Sequence, residues 1–383
     1  MKIMPTKESD SQVKTAVILL NMGGPQNNEE VHPYLKELFQ DREILKLPFQ
    51  KILGRYIAWK RSPQIKERYA ELKCFSPTHK IMEKQCEAIS RKLDETHPQS
   101  APHICVSGFR YLSPRTGEML SELQHAERII LFSQYPQHSC STSGSSLCDA
   151  YRWLDKYEEN NNFRDKTSVI DQWWDRQDYS ELWAMLIRRK FEEMKSNFKL
   201  EDKDIRIIYS AHSLPEDYCF KKGDKYNVEI QGSVDRIESV LKNWGLCHEH
   251  ALGWQSKVGP QRTKWLTPGT PDVIRETKQK AILMIPIAFT TDHIETLDEI
   301  DIEFRGYAEE VVDHFERSEC FNLETDFINL CVRLVIEHID SNFLSEIRPC
   351  CLNCEGYDCS AMRQYFKSSP VHQTSQVNSS SSA

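Results

Sequence analysis

The side chains able to do chemistry in this chain fall into four groups. The first is Ser210-Ala211-His212-Ser213-Leu214-Pro215, placed directly after the apolar run Ile205-Arg206-Ile207-Ile208-Tyr209. Imidazole titrates near neutrality, so a histidine at a strand end can take or pass a proton or bind a transition metal. Its plainer role is to hydrogen-bond a turn. The second group is Asp292-His293-Ile294-Glu295-Thr296, followed by Glu299 and Glu303. Steps of three, four and four put Asp292, Glu295, Glu299 and Glu303 along one side of a helix, with Leu297 and Ile300 on another. Solvated, such a row is an ordinary acidic face; buried, it is a path for protons or divalent metal, because carboxylates are oxygen ligands and proton carriers. Asp298 and Asp301 lie off the row and read as surface charge.

The third group is Cys351-Leu352-Asn353-Cys354 with Cys359, a C-x2-C-x4-C run. Its three thiolates need a fourth ligand to complete tetrahedral zinc or an iron–sulfur cluster. Cys350 leaves the register open, and spacing does not choose the fourth ligand among the scattered cysteines. The fourth group, residues 44–61 (ILKLPFQKILGRYIAWKR), carries five basic residues, no acidic ones and nine large apolar ones. That pattern fits a surface lying in an anionic membrane interface or the mouth of a pocket for an apolar anion. The competing reading is a helix packed on the core with a basic outer edge.

These groups need elements to hold them. Residues 17–20, 104–106, 128–132, 205–209 and 281–286 are short apolar runs, each followed by a polar turn and an amphipathic stretch. A helix over 28–41 is expected after the first, since Val31, Tyr34, Leu35 and Leu38 recur at helical spacing. Short apolar strands separated by helices imply βαβ units and parallel sheets. The grammar also repeats: RIILFSQYPQHS resembles AILMIPIAFTTDH, and AVILLNMGGP resembles RIIYSAHSLP. The expected fold is therefore α/β, with two similar doubly wound halves over residues 15–165 and 166–345, a helical extension at 346–367, a flexible start at 1–14 and a disordered Ser-rich tail at 368–383. In such sheets ligands sit at the carboxyl ends of the strands.

Composition agrees with an ordinary globular chain: 383 residues, 39% hydrophobic, 28% charged. A net charge of −8 argues against a nucleic-acid partner. Thirteen cysteines without an apolar secretory signal favour metal or cluster ligation over a disulfide framework. No apolar run approaches the ~18 residues of a membrane span.

Taken together the motifs LNMGGP, GFRY, SQYPQHSCST, SAHSLP, WQSKVGP and FTTDHIETLDEIDIE resemble ferrochelatase of the animal type, from about Thr15 to Phe366. The resemblance implies two Rossmann-like halves around a porphyrin cleft and insertion of Fe(II) into protoporphyrin IX. It places the active-site histidine on His212, a second histidine on His293 and a carboxylate on Glu295, with Asp292, Glu299 and Glu303 as a proton or metal path. Met22, Arg110, Tyr111, Tyr135, Trp265 and Phe289 fall on positions that line the cleft or address the metal. Arg61, Tyr69 and Ser76 fall on positions that meet the propionates. It further implies a [2Fe–2S] cluster on Cys351, Cys354, Cys359 and Cys140, a monotopic contact with the membrane through residues 44–64, and a homodimer. The apolar stretch 327–340 (FINLCVRLVIEHID) is suited to pairing. The implied compartment is the matrix side of the mitochondrial inner membrane, although the first residues make a poor presequence and leave a cytoplasmic location open.

Several residues depart from the family pattern. Lys73-Cys74-Phe75-Ser76-Pro77 stands where relatives have a glycine-rich loop, Gln64 where they have lysine, Arg176-Gln177 where they have two histidines, and His138 where they have tyrosine. Two extra residues precede Trp265. These changes keep a second reading in play, a catalytically impaired relative that binds porphyrin or haem. A third is a cluster-bearing structural or sensor protein at a membrane surface.

Overall fold

The computed structural model describes residues 13–257, 262–341 and 357–367. Eight strands form two parallel four-stranded sheets. The first holds β1 (Thr15–Asn21), β2 (His103–Phe109), β3 (Arg128–Ser133) and β4 (Thr167–Ile170) in the order β2-β1-β3-β4. The second holds β5 (Ile205–His212), β6 (Glu249–Gln255), β7 (Ala281–Ile285) and β8 (His314–Arg317) in the order β6-β5-β7-β8. The two orders are the same permutation, so the doubling visible in the motifs is a doubling of topology. Both sheets are covered by helices, which is why β1 (TAVILLN) is buried at every position and has no alternation.

The expected first helix runs Asn28–Gln40, capped by Asn27, whose side chain accepts from the backbone N–H of Glu29 and Glu30. It packs on the long helix Gln50–Leu72. Gly54 permits the close approach, since a Cβ there would sit 2.7 Å from the Phe39 carbonyl oxygen. Ala58 and Tyr69 of this helix join Val31, Leu35 and Phe39 in a small core.

The main core is shared by the two halves. Val17 and Leu19 of β1, Met82 and Ile89 of the helix Thr78–Thr96, Trp183 and Phe191 of the helix Gln177–Phe198, and Ile205, Ile207 and Tyr209 of β5 belong to one continuous buried cluster. The helix Thr325–Asp340 closes it, burying Phe327, Leu330, Cys331, Leu334 and Val335 within the chain. Its apolar face is therefore occupied, which removes this helix as the surface for a homodimer. The expected tail at 368–383 and the start of the chain lie outside the described residues, apart from Val13 and Lys14. Among the described residues no helix is long and apolar enough to cross a membrane.

Candidate active site

The carboxyl ends of the two sheets face one another, and polar contacts bridge them. Thr290 Oγ1 donates to the Gln134 carbonyl at 3.1 Å, Thr78 Oγ1 to the Asp292 carbonyl at 3.3 Å, and the Arg68 guanidinium pairs with Asp298 at 3.0 Å. His212 is the last residue of β5. Its Nδ1 lies 3.2 Å from Glu295 Oε2, and His293 Nε2 lies 3.7 Å from the same oxygen. The side chains of His212, Glu295 and His293 are 37%, 30% and 24% exposed, so the cluster is sheltered yet reachable. Phe289 flanks it, with its ring centroid 4.4 Å from that of His293.

Glu295 opens a π-helical segment, Glu295–Phe304. Its i→i+5 ladder widens the turn, so residues four apart stay closer to one row than on an α-helix, and such segments recur at functional sites. Sequence spacing alone reads this stretch as an ordinary helix. The row then divides by environment. Glu299 accepts from Ser256 N–H at 2.7 Å, from Gln255 Nε2 at 3.1 Å and from the Ser256 hydroxyl. Asp292 is clamped by Arg317 at 2.9 Å and by Asn322 Nδ2 at 2.6 Å. Glu303 is exposed and accepts from the Tyr307 hydroxyl, so the internal row ends at Glu299. Asp298 and Asp301 are not plain surface charge: Asp298 is buried against Arg68, and Asp301 pairs with Arg317 at 2.7 Å. Those partners come from distant elements, which local spacing does not reveal.

The electrostatics separate neighbouring groups. Burial opposes charging of His212, yet Glu295 and then Glu299 overcome it, and its pKa lies above the ordinary imidazole value. Burial likewise opposes ionisation of Glu295, but His212 and His293 hold its carboxyl far below the usual range. Glu299 moves the other way, pushed up by burial and by Glu295. The result is an ionised carboxylate beside a basic imidazole, with a more readily protonated carboxyl behind them. Four phenols, buried Tyr69 and Tyr226 and half-buried Tyr34 and Tyr135, are pushed up by loss of solvent and feel the charge of Glu295. Sequence marks Tyr34 only as part of a helical face and Tyr226 not at all as a site residue, because a tyrosine in a helix carries no motif.

The other expected site residues sit as follows. Met22 N–H donates to the Tyr135 hydroxyl at 2.7 Å, joining the loops after β1 and β3. Arg110 and Tyr111 are buried and engaged elsewhere: both donate to Asp41, at 3.0 and 2.8 Å, and Arg110 also pairs with Asp149. They therefore present no free polar group to a ligand, and they reach this neighbourhood through the Tyr34 ring, which meets Tyr111 edge-on at 5.8 Å. Trp265 is half-buried and bridges to Pro215, close after His212; residues 258–261 before it lie outside the described residues. Ser76 is buried against Gly24, where a Cβ would meet its hydroxyl at 2.4 Å, and Tyr69 is buried against Phe75 of the altered loop. Arg61 is half-buried near the Phe39 ring, and burial and Arg68 lower its pKa. Among the described residues no acidic group pairs with it. Arg176, in place of an expected histidine, pairs with Asp178 and Glu337.

The basic lip is exposed. Phe49, Ile52, Tyr56 and Trp59 are 81%, 70%, 54% and 67% exposed, interleaved with exposed Lys46, Lys51, Arg55 and Lys60. Of residues 44–61 in this helix only Gly54 and Ala58 are buried, and Ile57 packs partly on the small core, so the helix has an inner edge on the core and an outer face that is both basic and apolar.

Two of the four expected cluster cysteines are described. Cys140 is buried at the start of the π-helical turn Cys140–Gly144, where its N–H donates to Asp224 at 2.9 Å. Cys359, 1% exposed, lies on the helix Tyr357–Lys367, which packs on the helix Ser145–Asn161 that continues from that turn. Cys351 and Cys354 lie outside the described residues.

Comparison with known proteins agrees with this arrangement. The ferrochelatase family model matches residues 14–339. The chain is 38% identical over 366 residues to the mitochondrial ferrochelatase of Dictyostelium discoideum, covering 90% of this chain and 85% of that protein. It is also 38% identical to the mitochondrial ferrochelatases of Gallus gallus, over 92% of this chain and 87% of the relative, and of Homo sapiens, over 93% and 84%. A match of this length, covering both sheets and the His212, His293 and Glu295 cluster between them, means that the chain belongs to the ferrochelatase family.

Proposed function

We infer that the chain inserts Fe(II) into protoporphyrin IX to give protohaem, as a lyase-type metal chelatase of haem synthesis. Nothing in the comparisons favours the catalytically impaired alternative. The observation that carries the chemistry is the pairing of His212 with an ionised Glu295 at the meeting of the two sheets. Metal enters a porphyrin only as two pyrrole protons leave. A neutral His212 accepts a proton, and Glu295 beside it stabilises the imidazolium that forms. Glu299, whose carboxyl is readily protonated, takes protons onward toward the Ser256 hydroxyl. His293 shares the Glu295 oxygen and is placed to pass a proton or to hold the incoming metal. Asp292 braces the start of the π-helical segment through Arg317 and Asn322. Exposed Glu303 marks the outer end of this row.

Met22, Tyr135, Trp265 and Phe289 supply the apolar wall against which the ring is bent, and binding energy of the rest of the molecule offsets that distortion. Arg61, half-buried with no acidic partner among the described residues, is suited to a propionate; Tyr69 and Ser76 shape the wall beneath it. The lip of residues 44–64 docks on an anionic membrane surface and delivers a flat, apolar, anionic substrate, and the names of the relatives support a mitochondrial location. Cys140, Cys351, Cys354 and Cys359 would hold a [2Fe–2S] cluster through four thiolates, which when bound ties the carboxy-terminal extension to the first half. The test is anaerobic insertion of Fe(II) or Zn(II) into protoporphyrin, followed by absorbance. Measurable turnover supports the reading, whereas tight porphyrin binding without turnover contradicts it.

A further inference from the structure

Away from the strand ends that carry this chemistry, three metal-ligating side chains converge on the second sheet. His250 lies in β6 and His248 just before it, two residues apart, a spacing that puts both imidazoles on one face of an extended chain. Glu238 comes from the helix Tyr226–Asn243 above that face. His248 Nε2 is 3.0 Å from Glu238 Oε2, and His250 Nδ1 is 3.3 Å from the same oxygen. One ligand atom from each residue lies within 4.8 Å of the others.

We propose that Glu238, His248 and His250 bind a borderline divalent transition-metal ion of the zinc class, at a site separate from the reaction centre. Metal–ligand bonds of about 2.0–2.1 Å set the ligands of a tetrahedral ion roughly 3.3 Å apart, close to the two separations found here. Two imidazoles and a carboxylate suit Zn(II), Fe(II), Co(II) or Ni(II) rather than Mg(II) or Ca(II). The supporting shell is present, because the buried Tyr209 hydroxyl donates to Glu238 Oε1 at 2.6 Å and orients the carboxylate. Although burial opposes it, His248, Tyr209 and His250 keep that carboxyl below its usual pKa, in the ionised form a cation needs. The His248 side chain is 2% exposed and packs near Phe191, whereas that of His250 is 41% exposed, which gives an ion a way in and leaves a fourth position to water.

His250 precedes Gln255, the register partner of His212, by five residues, so the site lies about 16 Å along the strand from the reaction centre. β6 is an edge strand, and an ion here fastens it to the helix above. Cysteines elsewhere also bind these metals, so the experiment reads coordination as well as stoichiometry. The chain is titrated with Co(II) and with Zn(II), comparing wild type with His250→Asn and Glu238→Gln, and circular dichroism confirms folding. His250→Asn changes an exposed side chain and preserves the fold. The expected result is one Co(II) equivalent with d–d bands but no thiolate charge-transfer band, weakened about 100-fold or more in either variant. Zn(II) is also expected to raise the thermal midpoint more in wild type than in either variant, since it binds only the folded site. Equal stoichiometry, affinity and thermal response in all three proteins would overturn the proposal. So would an oxygen- and nitrogen-coordinated equivalent that survives both variants and disappears only in His212→Ala.

Discussion

Replacing Glu295 by glutamine removes the charge that sets the basicity of His212 while keeping the side-chain shape. At their 3.2 Å separation two unit charges interact by ~5 kcal/mol at an effective dielectric of about 20 and by ~1.3 kcal/mol in bulk water. About a third of each side chain is exposed, so solvent screening puts the interaction near the lower figure, at ~2 kcal/mol. Only neutral His212 accepts a pyrrole proton, so the wild-type rate falls as pH drops through the raised pKa of His212. In Glu295→Gln only the weaker pull of Glu299 still opposes burial, the pKa falls, and the acidic limb moves to lower pH. The maximal rate falls as well, by ~30-fold, because the imidazolium formed in turnover loses its counter-charge. Initial rates of Zn(II) insertion into protoporphyrin between pH 5.5 and 9 test both parts. A slower variant whose acidic limb stays in place would refute the coupling and leave Glu295 with a metal-holding or positioning role.

The remaining predictions concern stability, the lip and the cluster. Asp41→Asn replaces the anionic acceptor shared by Arg110, Tyr111 and Ser145 with a neutral amide that has a single acceptor oxygen, and is expected to cost about 2–3 kcal/mol, because Arg110 keeps Asp149. Asp41 has a lowered folded pKa despite its burial, so its stabilisation is present above the ordinary carboxylate value and is lost as pH falls through the folded one. The difference between the urea midpoints of the two proteins should therefore shrink as pH falls below the ordinary carboxylate value, and a difference that stays constant from neutral pH into that acidic range contradicts this. Gly24→Ala drives a methyl group into Ser76 and should destabilise by about 1–3 kcal/mol, with Ser76→Gly in the same chain restoring the loss; no rescue in the double variant argues against the clash. Ile52→Asp with Trp59→Ala should reduce binding to anionic vesicles at least tenfold and change the free energy of urea unfolding by no more than ~0.5 kcal/mol, since both side chains are exposed. Cys359→Ser should abolish cluster absorbance in the reduced, iron-reconstituted chain, and retained absorbance would remove Cys359 from the ligand set.

Much of the architecture is legible in the sequence because fully buried parallel strands are short, continuous apolar runs. β1, β3, β5 and β7 read in that way. β6 and β8 do not, since they are edge strands whose residues (EHALGWQ and HFER) are partly exposed and carry charge. The placing of His212 at a strand end, and of Glu295 one helical turn from Glu299, follows from spacing. What spacing cannot reveal is which carboxylate receives a partner from a distant element. Arg317 on β8 and Arg68 on the helix Gln50–Leu72 convert Asp301 and Asp298 from apparent surface charge into cross-links. The π-helical turn is equally hidden, because its sequence has the apolar and acidic periodicity of an α-helix. The same holds for Asp41, which anchors Arg110 and Tyr111 from a position far away in the chain.

The central claim is that His212 accepts the proton that metal insertion displaces. It is tested most directly by His212→Ala in a single-turnover anaerobic Fe(II) insertion assay, with protoporphyrin binding followed in parallel by fluorescence. Porphyrin binding close to that of wild type, with insertion slowed by roughly 10²- to 10⁴-fold, is the predicted result. Insertion within threefold of the wild-type rate would contradict it.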